Sequence, residues 1–103
     1  MGKQVSKLPV VWDRKEYQNF EDILSIIRGQ SPRNSILVKN RVNKIIKNLP
    51  NFPYKFEEDK LKRPKNISYR AFSQDNIRVS YRVTRTNIQI VRVRHSKQEP
   101  LNY

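Results

Sequence analysis

The last third of the chain carries arginines two or four positions apart within its apolar runs, a spacing that can present several cations on one side of a β-strand. Arg70 lies in Y-R-A-F, and Arg78 and Arg82 lie in I-R-V-S-Y-R-V. Guanidinium groups on a rigid sheet bind phosphates through paired hydrogen bonds and stabilise charge that develops on a reacting phosphate. A tyrosine or lysine would handle the proton, and RNA would supply its own nucleophile, the 2′-hydroxyl. Such a site needs no metal and no cofactor, although arginine is also common on strands that only face solvent.

Most familiar catalytic sites are excluded by the residue counts. The chain has no cysteine, two glycines and one histidine, His95. Thiol nucleophiles, cysteine-based metal sites and glycine-rich phosphate loops therefore cannot be built. His95, at the end of the last predicted strand, is a candidate general acid or base, with a structural role as the alternative. The acidic run at 57–59 is predicted to be a solvated turn rather than a metal site, because adjacent carboxylates tend to point in different directions.

The net charge indicates a polyanionic partner. Lysine and arginine number 22 against nine acidic residues, which gives +13. From residue 60 onward there are eleven basic and two acidic residues, a net +9, so the charge is concentrated near the predicted strands. No hydrophobic run approaches membrane-spanning length and no secretory signal is visible, so a cytoplasmic protein is expected. The candidate RNA-binding residues are Lys60, Lys62, Arg63, Lys65, Arg82 and Arg94.

Three runs of alternating apolar and polar residues, at 67–72, 77–83 and 88–93, predict an antiparallel meander. We expect an odd-length loop through residues 74–76 to set Ser73 opposite Ile77. One face would then carry Ile67, Tyr69, Ala71, Val79, Tyr81 and Val83, with both tyrosines as packing residues. The other face would carry Ser68, Arg70, Phe72, Arg78, Ser80 and Arg82.

The second connection, around residues 85–86, most simply pairs Val83 with Ile88 and continues the core through Ile90. This register carries Val91 and Val93 to the arginine face and puts Arg92 on the core side. A buried arginine is unfavourable, so a β-bulge or a fraying edge is possible there.

Two helices are predicted before the meander. Asp13 is an N-cap with Glu16 in the capping-box position, and Gly29 is expected to cap the C-terminus of the first helix. Ser31 and Pro32 start the second, which ends before Pro50. The apolar stripes are Tyr17, Phe20, Ile23, Leu24 and Ile27, then Ile36, Leu37, Val42, Ile45, Ile46 and Leu49.

These elements predict a single α+β domain over residues 1–103. An N-terminal αα-hairpin would pack on one face of a small twisted antiparallel sheet, to which the apolar run at 8–12 could add a strand. Residues 51–65 are expected to form a loop with a short extended piece around 54–56.

The order αα-hairpin, Y-R-A-F, I-R-V-S-Y-R-V and I-x-I-V-R-V-R-H-S-K-Q-E-P resembles the RelE/ParE superfamily, small bacterial toxins of type II toxin-antitoxin modules. The likeness covers residues 10–103. It implies a toxin neutralised by a cognate antitoxin whose extended or helical segment wraps around it.

RelE-like members are ribosome-dependent mRNA endonucleases that cut by attack of the 2′-hydroxyl on the adjacent phosphate. By position, the resemblance implies that Arg78 and Arg70 bind that phosphate and that Lys97 stands where these enzymes use a second arginine. Tyr103, six residues after Lys97, falls on a tyrosine that orients or activates the nucleophile, and His95 is the other candidate for proton transfer.

ParE-like members instead inhibit DNA gyrase and are not nucleases. The ending V-R-V-R-H-S-K-Q-E-P looks at least as much like theirs. In that case Arg78, Lys97 and Tyr103 would bind a partner or serve the structure, and the basic surface would contact protein or DNA. Composition does not separate the two branches, because a charge of +13 suits both.

Overall fold

A two-helix hairpin and a four-stranded sheet make up the computed structural model, which describes residues 7–58 and 69–96. The elements in chain order are β1 (Val10–Trp12), α1 (Arg14–Gln30), α2 (Pro32–Asn48), β2 (Arg70–Gln74), β3 (Ile77–Val83) and β4 (Ile88–His95). The strand order is β1-β4-β3-β2. The predicted α+β architecture is confirmed, but the sheet is mixed because β1 runs parallel to β4. Neither helix in the described part of the chain is long and apolar enough to cross a membrane.

The helix starts follow the predicted caps. The side chain of Asp13 accepts a hydrogen bond from the backbone of Lys15, and that of Ser31 accepts one from Asn34. The expected cap at Gly29 is wrong, because α1 continues through it to Gln30. The chain leaves the helix in an extended conformation at Ser31, with φ −159°, so no left-handed residue is needed there.

The core lies between the helix hairpin and one face of the sheet. Tyr17, Ile36 and Leu37 are 45%, 61% and 43% exposed, so their assignment to the buried stripes is wrong. Tyr69 and Tyr81 are both buried, as predicted, but only Tyr81 belongs to the core cluster. The hydroxyl of Tyr81 donates to the carbonyl of Pro53 at 2.8 Å. The hydrophobic core consists of Phe20, Ile23, Leu24, Val38, Val42, Ile46, Leu49, Phe72, Ile77, Val79, Tyr81, Ile88, Ile90 and Val93.

The turn between β2 and β3 corrects the predicted register. Gln74 pairs with Ile77, so the turn has two residues, Asp75 and Asn76, with φ of 55° and 64°. Positive φ at both central residues is the geometry of a type I′ hairpin turn, which Asp and Asn tolerate better than other non-glycine residues. The one-residue change exchanges the faces of β2. Phe72 is buried opposite Val79, whereas the smaller Ala71 takes the other face.

An ion pair fastens this turn to the helices. Arg41 of α2 donates from Nε and Nη2 to the two carboxylate oxygens of Asp75, at 2.8 and 2.9 Å. These hydrogen bonds lower the pKa of Asp75 below its ordinary value. The bidentate contact gives the turn a fixed position over α2.

Asn76→Ala is expected to lower the free energy of unfolding by about 1 kcal/mol, because alanine meets the full steric cost of the left-handed region. Asn76→Gly should keep or raise the stability, since glycine has no such cost. Urea denaturation of the two variants beside the parent protein checks this. Equal midpoints for the alanine and glycine variants would contradict the turn geometry.

A β-bulge in β4 decides the second register. Val83 pairs with Ile88 and Ile90 continues the core, as predicted. The pairing then shifts, so that Ser80 faces Arg92 and Val91 is the extra residue. The anticipated bulge is confirmed, and it returns Val93 to the core opposite Val79. The expectation that Val93 lies on the arginine face is therefore wrong, and Arg92 is carried out of the core.

Candidate functional site

The sheet face turned away from the helices, here called the outer face, carries four arginines on two adjacent strands. Arg78 and Arg82 lie on β3, and Arg92 and Arg94 lie on β4. The register places Arg78 beside Arg94, Ser80 beside Arg92, and Arg82 beside Gln89. Ala71 and Ser73 of β2 lie on the same face, and Val11 of β1 lies beside Gln89. None of these positions on the four strands is acidic. The outer face therefore gathers four half-buried arginines around the fully buried Ser80, a cationic arrangement suited to a polyanion.

Glu16 at the start of α1 supplies the negative charge beside this face. It is 5% exposed, and its Oε1 accepts from the backbone N–H of Val93 at 2.8 Å, from Arg94 Nη1 at 2.7 Å and from Asn19 at 3.1 Å. Burial raises the pKa of Glu16, but these hydrogen bonds outweigh burial, so the pKa is lowered overall. The carboxylate thus stays charged and counters the repulsion between the neighbouring Arg78 and Arg94.

The short length of β1 explains this use of Glu16. β1 pairs with β4 only as far as Ile90, and the N–H of Asp13 donates to the carbonyl of Ile90 at 3.1 Å. Further along this edge of β4, the N–H of Val93 donates to the Glu16 carboxylate instead of to a neighbouring strand. Glu16 therefore accepts hydrogen bonds from β4 instead of filling the predicted capping-box role at the start of α1. The sequence did contain a signal, because Glu16 lies four residues before Phe20 on the apolar stripe of α1.

Arg94, a predicted RNA-binding residue, has part of its guanidinium committed to the fold. Its Nη1 donates to Glu16 and to the carbonyl of Val93, both at 2.7 Å, and its side chain is 20% exposed. Arg94 is therefore oriented at the edge of the outer face. Its contact with RNA stays a prediction, as does that of Arg82, which is half-buried on the same face.

Arg70 does not share a face with Arg78. It pairs with Tyr81 on the core side of β2, whereas Arg78 pairs with Ser73 on the outer side. Its Nη1 donates to the carbonyl of Phe56 at 2.8 Å, and its guanidinium lies 5.1 Å from the centre of the Tyr54 ring. The prediction that Arg70 and Arg78 share one face is therefore wrong, because the two-residue turn reverses the faces of β2. The assigned role of each arginine at the phosphate stays a prediction.

The segment at 56–58 is attached to β2 near Arg70. Glu58 forms an isolated antiparallel bridge with Arg70, and the N–H of Ala71 donates to the carbonyl of Glu57 at 3.2 Å. The short extended piece predicted at 54–56 thus lies at 57–58, where the chain pairs with β2. Arg70 holds this piece against the sheet through Phe56.

Of the remaining predicted site residues, one lies in the described part of the chain and six lie outside it. His95 is half-buried at the end of β4, paired with Ile77, and Ser96 donates to the carbonyl of Asn76 at 2.7 Å. This contact places the end of β4 beside the β2–β3 turn. Lys60, Lys62, Arg63, Lys65, Lys97 and Tyr103 lie outside the described residues, so their assigned roles stay predictions.

Comparison with known proteins agrees with this arrangement of elements. A family model described as ParE toxin of type II toxin-antitoxin system, parDE, matches residues 10–100. No curated protein sequence matches the chain. The family match confirms the resemblance to the RelE/ParE superfamily, and membership implies a cognate antitoxin as partner. With its helix hairpin, its four-stranded sheet and a match over nearly its whole length, the chain belongs to the ParE toxin family of type II toxin-antitoxin systems.

Proposed function

We propose that this toxin is a RelE-like mRNA endonuclease that cuts messages on the ribosome and binds RNA on its outer face. The observation that supports the proposal most directly is the set of four arginines on adjacent strands, with no acidic residue among the outer-face positions of β1 to β4. Backbone phosphates dominate the affinity of proteins for nucleic acids, and arginine forks match phosphate geometry. A surface of this kind is suited to a polyanionic ligand such as RNA.

In the proposed reaction the 2′-oxygen of a nucleotide bonds to the adjacent phosphorus while the bond from phosphorus to the 5′-oxygen breaks. The 2′-hydroxyl loses a proton, the departing 5′-oxygen gains one, and the products are a 2′,3′-cyclic phosphate and a 5′-hydroxyl. Arg78, on the strand between β2 and β4, is assigned to the charge on the phosphate oxygens. Arg82 and Arg92 would position the flanking phosphates, and His95 or Tyr103 would move the protons.

The alternative function, inhibition of DNA gyrase without catalysis, also has specific support. The matching family is described by ParE and parDE. In addition, Arg70 faces away from Arg78, and Arg94 is bound to Glu16. Fewer of the arginines assigned to the nuclease site therefore lie together on the outer face. Under this alternative the outer face would bind DNA or an acidic protein surface, and no group would need to transfer protons.

Brief expression in a bacterial host separates the two functions. Protein synthesis and DNA synthesis are followed separately while the 5′ ends of messages are mapped. For the endonuclease, translation should stop first, with cuts inside translated messages. Loss of DNA synthesis first, with intact messages, would establish the gyrase alternative and overturn the catalytic assignments.

A further inference from the structure

A groove lies between the C-terminal half of α2 and the segment at 49–56 that follows it. Its volume is about 700 Å³, within the range of ligand-binding pockets. Three lysines, Lys44, Lys47 and Lys55, line it together with three asparagines and the aromatic rings of Phe52 and Phe56. Among the described residues no carboxylate lines it, and Glu57 and Glu58, which follow the segment, lie outside the lining. The groove shares no residue with the outer face and is formed on the helix side of the sheet.

We propose that this groove is a second binding site, for single-stranded nucleic acid. The three lysines supply the positive charge that backbone phosphates attract. The ring of Phe52 is 59% exposed and offers a flat surface on which an unpaired base can stack. Asn40 and Asn43 carry both donors and acceptors, which are the groups that read base edges. One groove thus offers lysines to the phosphates, an aromatic ring to the face of a base and asparagine side chains to its edge.

The kind of apolar surface favours a nucleic acid over an acidic peptide. The aliphatic residues of the lining are covered, with Leu49 only 1% exposed and Ile45 half-buried, so they offer little to the apolar side chains of a peptide. The open apolar surface is the Phe52 ring, and the Nζ of Lys55 lies 5.4 Å from the centre of the Phe56 ring beside it. Cations interleaved with aromatic rings are the pattern of single-strand binding surfaces, whereas a duplex keeps its base faces stacked inside.

Photo-crosslinking locates the site directly. The purified full-length chain is irradiated with a short oligouridylate that contains bromouridine, and the joined peptides are identified by mass spectrometry. Crosslinks are expected at Phe52 or its neighbours in the groove. They should persist in Arg78→Ala, so this inference and the proposed cleavage fail separately. Crosslinks confined to β3 and β4 would overturn the inference.

Affinity measurements test the two parts of the groove with matched controls. Phe52→Ala should weaken oligouridylate binding about tenfold or more, whereas Ile36→Ala, equally exposed on α2 but outside the groove, should not. Replacing Lys44 and Lys47 with glutamine should reduce the slope of log affinity against log salt by about 1.4. The same change at Arg33 and Lys39, on the same helix but outside the groove, should leave the slope unchanged.

Two outcomes of these measurements would overturn the proposal. The first is equal affinity of Phe52→Ala and Ile36→Ala for the oligonucleotide. The second is Phe52-dependent binding of a labelled polyglutamate peptide without binding of oligouridylate, which would make the groove a site for an acidic protein segment.

Discussion

Glu16→Ala is expected to be the most destabilising single substitution of a charged residue in the described part of the chain, at a cost of about 3–5 kcal/mol. The variant removes the acceptor of the Val93 N–H and leaves Arg94 without its buried counter-charge. It also restores the repulsion between Arg94 and Arg78 across the two strands. Thermal and urea unfolding of the purified protein measure the loss. Glu21→Ala, on the same helix but partly exposed, controls for removal of one negative charge from a protein of net charge +13.

The charge of Glu16 also predicts how stability depends on pH. Because the pKa of Glu16 is lower in the folded protein than in the unfolded chain, its contribution is present above the ordinary pKa and is lost as the pH falls through the folded pKa. Glu16→Gln keeps an acceptor for Val93 but has no charge to titrate, so its stability should fall less between neutral and acidic pH. Asp75, whose pKa is lowered by Arg41, will still give some acid dependence in that variant.

Two results would contradict this role of Glu16. One is a loss in Glu16→Ala no larger than in Glu21→Ala. The other is an unchanged acid limb of the stability profile in Glu16→Gln.

Arg78→Ala is expected to reduce message cleavage by about 10²- to 10³-fold, the usual effect of removing one group that stabilises charge on a reacting centre. Arg78→Lys should recover only part of the activity, because an ammonium group keeps the charge but cannot make the paired hydrogen bonds of a guanidinium. Cleavage is measured by mapping message ends in a translation extract, since toxicity alone would not distinguish the two proposed functions.

Arg85→Ala is the matched control for Arg78→Ala. It removes the same charge from the exposed β3–β4 connection and should leave cleavage close to that of the parent protein. Circular dichroism of each variant establishes that the fold is intact. A folded Arg78→Ala protein that still cuts messages at the parent rate would show that the outer face is not the catalytic site.

The local features of the chain were predictable because their signals lie within a few residues of one another. Helix periodicity and the caps at Asp13 and Ser31 placed α1 and α2. Apolar alternation placed β3 and β4, and the charge of +13 with its bias toward the last third follows from composition. Each of these depends on local backbone geometry or on composition, which tertiary contacts did not alter.

The assignment of side chains to faces was decided by the tertiary structure. Alternation has a period of two, so adding or removing one loop residue exchanges the faces, and the sequence allowed either a two- or a three-residue loop after β2. The shorter loop is the one that buries Phe72 rather than Ala71, which removes more apolar surface from water. That choice separated Arg70 from Arg78.

The bulge at Val91 and the role of Glu16 were also decided by the tertiary structure. Val91 is left out of the pairing so that Val93 enters the core and Arg92 leaves it. Glu16 accepts from Val93 because β1 is too short to reach that part of β4. Residues far apart in the chain make these contacts. Residue types and local spacing therefore determined the helices, the main strands and the charge of this toxin, whereas long-range packing decided which side chains enter the core and which arginines share its outer face.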